Sequence, residues 1–100
     1  MLHYKAPLRD MRFLINEVLD YPQHYSTLSN GGDATPEMVD AILEGAATLC
    51  EEVLAPLNAS GDKEGCHLND GVVTTPKGFK EAYAEFIAGG WQGLSFPVEY

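Results

Sequence analysis

Between Thr35 and Leu57 the apolar residues Val39, Leu43, Ala46, Cys50, Val53 and Leu57 recur in alternating steps of four and three. At ~100° per residue they stay within an arc of about 80°, which is the pattern of a helix with one buried face. Ile42, Leu49 and Leu54 widen that face. Thr35 suits the N-cap, Pro36 the first turn, and Glu37 the positive end of the helix dipole. Pro56 should disrupt the last turn, because it lacks a donor and crowds the carbonyl four residues back. Glu37, Asp40, Glu44 and Glu51 lie opposite the stripe, and the helix carries no basic residue. These carboxylates read as a solvated face with ordinary titration. Removing Glu44 should leave stability unchanged or raise it by relieving repulsion. Burying the stripe contributes about 1.5–3 kcal/mol per large side chain. Ordering the backbone costs about 1–2 kcal/mol per residue, so the helix needs partners.

Two further helices supply them. The first is expected from about Pro7 to Asp20, with Leu8, Met11, Ile15, Val18 and Leu19 on one face and Phe13 opposite. Tyr21-Pro22 ends it, and residues 21–34 form a loop rich in turn formers. The third begins with Thr75 as cap and Pro76 at the first position. Phe79, Ala82, Tyr83, Phe86 and Ile87 form its apolar face, and Gly89-Gly90 stops it. Residues 58–75 are read as a polar connection, with a turn at Asp70-Gly71 and a brief extended segment around Val72-Val73. From Trp91 to Tyr100 an apolar, largely extended tail follows, carrying Trp91, Leu94, Phe96, Val98 and Tyr100. The fold class is therefore all-α: three main helices in a small bundle, in one domain over residues 1–100, with an extended apolar C-terminal tail.

The 100 residues carry fifteen acidic and six basic side chains, for a formal charge of −9. That argues against nucleic acid and an anionic membrane surface as partners, since both attract Lys and Arg. No apolar run reaches the ~20 residues of a membrane span. Residues 1–15 interrupt their apolar positions with Lys5, Arg9, Asp10 and Arg12, unlike a signal peptide. Cys50 and Cys66 are too few for a disulfide scaffold, and Cys50 falls on the apolar stripe. A reducing, cytoplasmic location is expected, and Asn58-Ala59-Ser60 is a chance glycosylation match.

Several constellations resemble sites and fall short. Oxygen donors alternate from Asn58 to Asn69, but Lys63 replaces the central glycine of a calcium loop and Asn69 its bidentate glutamate. That stretch reads as a solvated turn. Cys50, Cys66 and His67 lack the paired spacing of a zinc site, so no metal is expected. His24 and His67 read as surface histidines. No nucleophile context or phosphate-cradling glycine motif is present. Tyr83 is read as core, at helical spacing with Phe79 and Phe86, rather than as a pocket residue. For Trp91, at the boundary where the chain leaves the helices, packing and ligand contact both stay open.

Three stretches together resemble the large-subunit branch of the acyl-CoA dehydrogenases. The first is Tyr4-Lys5-Ala6-Pro7-Leu8-Arg9-Asp10-Met11-Arg12-Phe13 with Asn16-Glu17-Val18. The second is Cys50-Glu51-Glu52-Val53-Leu54-Ala55-Pro56-Leu57-Asn58 with Gly61-Asp62. The third is Gly71-Val72-Val73-Thr74-Thr75-Pro76-Lys77-Gly78-Phe79-Lys80, running into Gly89-Gly90-Trp91. Their order and spacing carry the likeness; only the loop from Tyr25 to Ala34 looks generic.

The resemblance implies an FAD-dependent flavoprotein oxidoreductase of fatty acid metabolism, several times longer than this chain. It implies an N-terminal helical domain, a middle β-domain holding much of the FAD, and a C-terminal helical domain. A glutamate removes the α-proton of an acyl-CoA while the β-hydride passes to the flavin, giving a 2,3-enoyl-CoA. That base and the main flavin contacts lie downstream in the family, so no catalytic residue is assigned here and cofactor-binding residues stay unknown. The chain is then expected to be a truncated N-terminal domain, with residues 91–100 starting the connector to the β-domain. It should scaffold the acyl-CoA and FAD site, pack against the remaining domains, and hold no FAD by itself. Alone, it should self-associate through its apolar tail and Phe13. The competing class is a free-standing acidic helical interaction module that binds through the acidic face, Phe13 or the tail.

Overall fold

A computed structural model of the chain describes residues 3–97 and 99. Val98 and Tyr100, assigned above to the tail, lie outside the described residues. The structure is mostly helical, with one two-stranded hairpin among the described residues. Two compact units make it up, Met1–Glu51 and Glu52–Tyr100.

In the first unit an irregular arm leads to α1 (Leu8–Phe13), with Pro7 at the cap rather than the first helical position. The helix widens into a π-turn, Leu14–Val18, closed by the Leu19 N–H on the Leu14 carbonyl at 2.9 Å. Asp20 then turns left-handed at φ 48°, so the helix stops short of the expected Asp20. Periodicity at 100° per residue fails across a wide turn. Leu8 and Ile15 are half-buried as expected, but Val18 and Leu19 are exposed.

The loop expected at 21–34 begins instead with α2 (Tyr21–Ser26). Pro22 lies in its first turn, where a proline starts a helix as readily as it ends one. α3 (Pro36–Thr48) starts as the sequence indicates: the Thr35 hydroxyl accepts the Met38 N–H at 3.1 Å. A second π-turn, Leu49–Leu54, follows it. Pro56 leaves the Glu52 carbonyl without a donor and crowds it. Pro56 falls just after the wide turn, and the chain then resumes as a helix rather than ending.

In the second unit α4 (Pro56–Glu64) has Pro56 in its first turn and overturns the polar connection read from residue 58. Asn58, Ser60, Gly61 and Asp62 are weak helix formers, so packing decides here. A Cβ on Gly61 would meet the Phe79 ring at 2.5 Å, so only glycine lets helix and ring approach this closely. β1 (His67–Asn69) and β2 (Val72–Thr74) pair antiparallel, with Leu68 opposite Val73. Asp70 and Gly71 both take positive φ, as a two-residue hairpin turn requires.

α5 (Phe79–Ala88) begins three residues later than the sequence indicates. The Lys77 N–H donates to the Glu64 carboxylate at 3.0 Å, and Gly78 caps the helix at φ 92°. Gly90, at φ 75°, stops it. The strip expected to extend from Trp91 turns instead, through a 3-10 turn, Trp91–Gly93, and a Phe96 N–H to Gly93 carbonyl bond of 2.9 Å.

Burial is shallow. Among the described residues only Ala47, Gly61, Pro76 and Ala82 are buried, and all four are small. The chain exposes 8177 Å². Two free-standing globules of half its mass would together expose only about 6,700 Å². The apolar stripes are therefore real, but within this chain they are only half covered.

Candidate functional site

The second unit contains an open apolar cleft of about 450 Å³, lined by Leu54, Leu57, Asn58, Phe79, Ala82, Tyr83 and Phe86. α4 and α5 supply most of its walls, and Leu54 comes from the end of the second π-turn. The apolar stripes of the two helices face one another, with close approaches where Gly61 meets the Phe79 ring and Leu57 lies against Gly78. Its polar groups are the Asn58 amide and the Tyr83 hydroxyl. A cleft of this size and lining suits an apolar group with a neutral polar end.

The sequence placed Leu54, Leu57, Phe79, Ala82 and Phe86 on apolar faces. It did not show that a gap separates those faces. Asn58 was missed because it was read as loop. Tyr83 corrects the core reading: the residue is 64% exposed and its ring stacks on Phe86 with centroids 6.2 Å apart. The signal available was its phenol, which a dry core would leave without a partner. Trp91 is half-buried, with its indole against Gly89, where a Cβ would meet Nε1 at 2.6 Å. It packs on its own helix end and is absent from the cleft lining.

In the first unit the acidic face is largely exposed, as read from the sequence, but Asp40, Glu44 and Glu51 have partners the sequence did not show. Arg12 of α1 donates from Nε to Asp40 at 2.5 Å and from its terminal nitrogen to Glu44. Those bonds, Glu44 first and Asp40 second, raise the guanidinium pKa further. Glu51 accepts the Ala6 N–H at 3.2 Å and the Lys5 ammonium at 3.2 Å. The backbone N–H above all, and Lys5 after it, pull its carboxyl below the ordinary 4.5. Sequence distance hid both pairings, because the cations come from another element. Arg9, Arg12, Phe13, Asn16 and Glu17 line a second open depression, of about 560 Å³, where Phe13 is exposed.

The remaining candidates stay apart. Half of the supposed calcium stretch is helical α4, not a turn, and Glu64 is occupied by Lys77. Cys50 is half-buried and Cys66 exposed, both as free thiols. His67 lies exposed on β1, and His24 packs beside Tyr21 and Tyr25 with centroids about 6 Å away. Among the described residues no three His, Cys, Asp or Glu side chains converge on a metal position, and no helix is long and apolar enough to cross a membrane.

Against known proteins, the chain is 39% identical over 97 residues to a 3-methylmercaptopropionyl-CoA dehydrogenase of Ruegeria pomeroyi. That alignment covers 97% of this chain and 16% of the relative. Similarity to an acyl-CoA dehydrogenase thus runs nearly end to end. A butyryl-CoA dehydrogenase of Syntrophomonas wolfei is 32% identical over 84 residues, covering 81% of this chain and 14% of that protein. The chain therefore spans about one sixth of the length of these relatives. No family model matches it.

Proposed function

We propose that this chain is the N-terminal helical domain of an FAD-dependent acyl-CoA dehydrogenase and serves that enzyme as a scaffold. The observation that carries the reading is the 39% identity over 97 residues to one such dehydrogenase, which is several times longer. The half-covered helices support it, because their exposed apolar faces suit packing against further domains. In the whole enzyme an acyl-CoA would lose its α-proton to a glutamate and its β-hydride to the flavin, giving a 2,3-enoyl-CoA. The two relatives are named for different acyl groups, so the likeness to them favours no one acyl chain.

The cleft does not offer the charged groups that a flavin's phosphates favour. The cleft offers an apolar lining with one amide and one phenol. Arg12 is paired with Asp40 and Glu44. The proposal assigns FAD and the catalytic base to the rest of the enzyme. A cytoplasmic location, a place in fatty acid metabolism, and self-association of the isolated chain belong to the same proposal. The free-standing acidic module has less support, since Asp40, Glu44 and Glu51 are engaged within the chain.

The test is the purified 100-residue chain, assayed for bound flavin after gel filtration and for acyl-CoA oxidation with an artificial electron acceptor. The proposal expects a colourless, inactive protein. Stoichiometric flavin that survives gel filtration would overturn it.

A further inference from the structure

The arm ahead of α1, residues 3–7, has no regular structure. Its backbone bonds are local: the Leu8 N–H to the Ala6 carbonyl at 2.8 Å and the Met11 N–H to the Pro7 carbonyl at 3.1 Å. Among the described residues one side chain makes a hydrogen bond or ion pair with it. Glu51, 45 residues along the chain, takes the Ala6 N–H on one carboxylate oxygen and the Lys5 ammonium on the other. The Lys5 side chain is 87% exposed and that of Glu51 only 21%, so the carboxylate is the fixed member and the arm comes to it. Glu51 stands in the π-turn Leu49–Leu54, whose wide geometry departs from the regular helix before it. Turns of this kind are often found where a helix places a functional side chain.

We propose that Glu51 is a single-point strap that fastens the N-terminal arm to the second π-turn, and that protonating or removing this carboxylate frees the arm while the helices stay folded. The arm contributes His3 and Lys5, α1 contributes Arg9, Asp10 and Arg12, and the turn itself contributes Glu52. Arg12 is held by Asp40 and Glu44, which leaves Lys5 as the cation paired with Glu51. Protonation removes the ion pair and weakens the acceptor for the Ala6 N–H. The carboxyl titrates below its ordinary 4.5, so the strap is closed above that pH and opens as pH falls through the lowered value. At neutral pH the arm is held. This device is independent of any activity of a larger enzyme.

The test follows the Ala6 amide proton of the full chain by NMR as pH is lowered. Its shift should move in one step with a midpoint below 4.5, while amides of α3 and α5 keep their positions. Glu51→Gln should abolish the step. At neutral pH it should also speed trypsin cleavage of the Lys5–Ala6 bond by about tenfold, since the ion pair with Lys5 is lost and the Ala6 N–H keeps only a neutral acceptor. If the arm opens only together with the helices, or if Glu51→Gln is cut no faster than the parent chain, the strap is wrong. Should Glu51→Gln fail to fold, the titration of the unaltered chain still decides the matter.

Discussion

Arg12 joins two helices with one guanidinium, bonding Asp40 and Glu44 from a side chain on α1. Arg12→Ala should therefore lower the thermal midpoint, and Glu44→Ala should lower it less, since Asp40 keeps its bond. Exposed ion pairs are worth little, so both losses are small and shrink with added salt. Equal or higher midpoints in both variants would return the acidic face to solvent. Gly78 is a stricter position. Its φ of 92° is hostile to any side chain, and a Cβ would lie 2.8 Å from Leu57 Cδ2. Gly78→Ala should cost about 1–2 kcal/mol in urea unfolding from backbone strain. An unchanged midpoint would mean that the turn before α5 relaxes freely.

At the scale of elements, local chemistry was legible wherever it acts through neighbouring residues. The Thr35 cap, the Pro36 start, the Asp70-Gly71 turn and the Gly90 stop each have short-range causes. The π-turns do not. Leu14–Val18 and Leu49–Leu54 break the 100° rule from within, so Val18 and Leu19 leave the predicted stripe. α4 was hidden because contacts distant in sequence, Gly61 on Phe79 and Leu57 on Gly78, outweigh poor propensity. The cleft was legible in its apolar walls but not in their separation, which depends on where those contacts fall. Leu43 and Val53 are half-buried rather than enclosed. Leu43→Ala and Val53→Ala should then each cost about 1–2 kcal/mol, the low side of core truncations. A loss near 4 kcal/mol for either, measured by chemical unfolding, would show the stripe to be fully covered.

For the whole molecule the dominant fact is uncovered apolar surface opposed by charge. Leu94 and Phe96 are exposed at 63% and 57%, Phe13 at 53%, and the net charge is −9. Such surface favours a second copy when no other domain is at hand, and self-repulsion resists it. Sedimentation of the isolated chain should show association that strengthens with ionic strength and weakens when the chain is cut after Gly90. A monomer at every salt concentration would remove that expectation. The central claim is that this sequence works inside an acyl-CoA dehydrogenase. The most direct measurement is the intact mass and bound flavin of the polypeptide carrying it, isolated from its native cells. The account predicts a yellow protein several times heavier than 10.9 kDa whose colour bleaches with a suitable acyl-CoA. A colourless polypeptide of 10.9 kDa, bound to an unrelated protein, would contradict it.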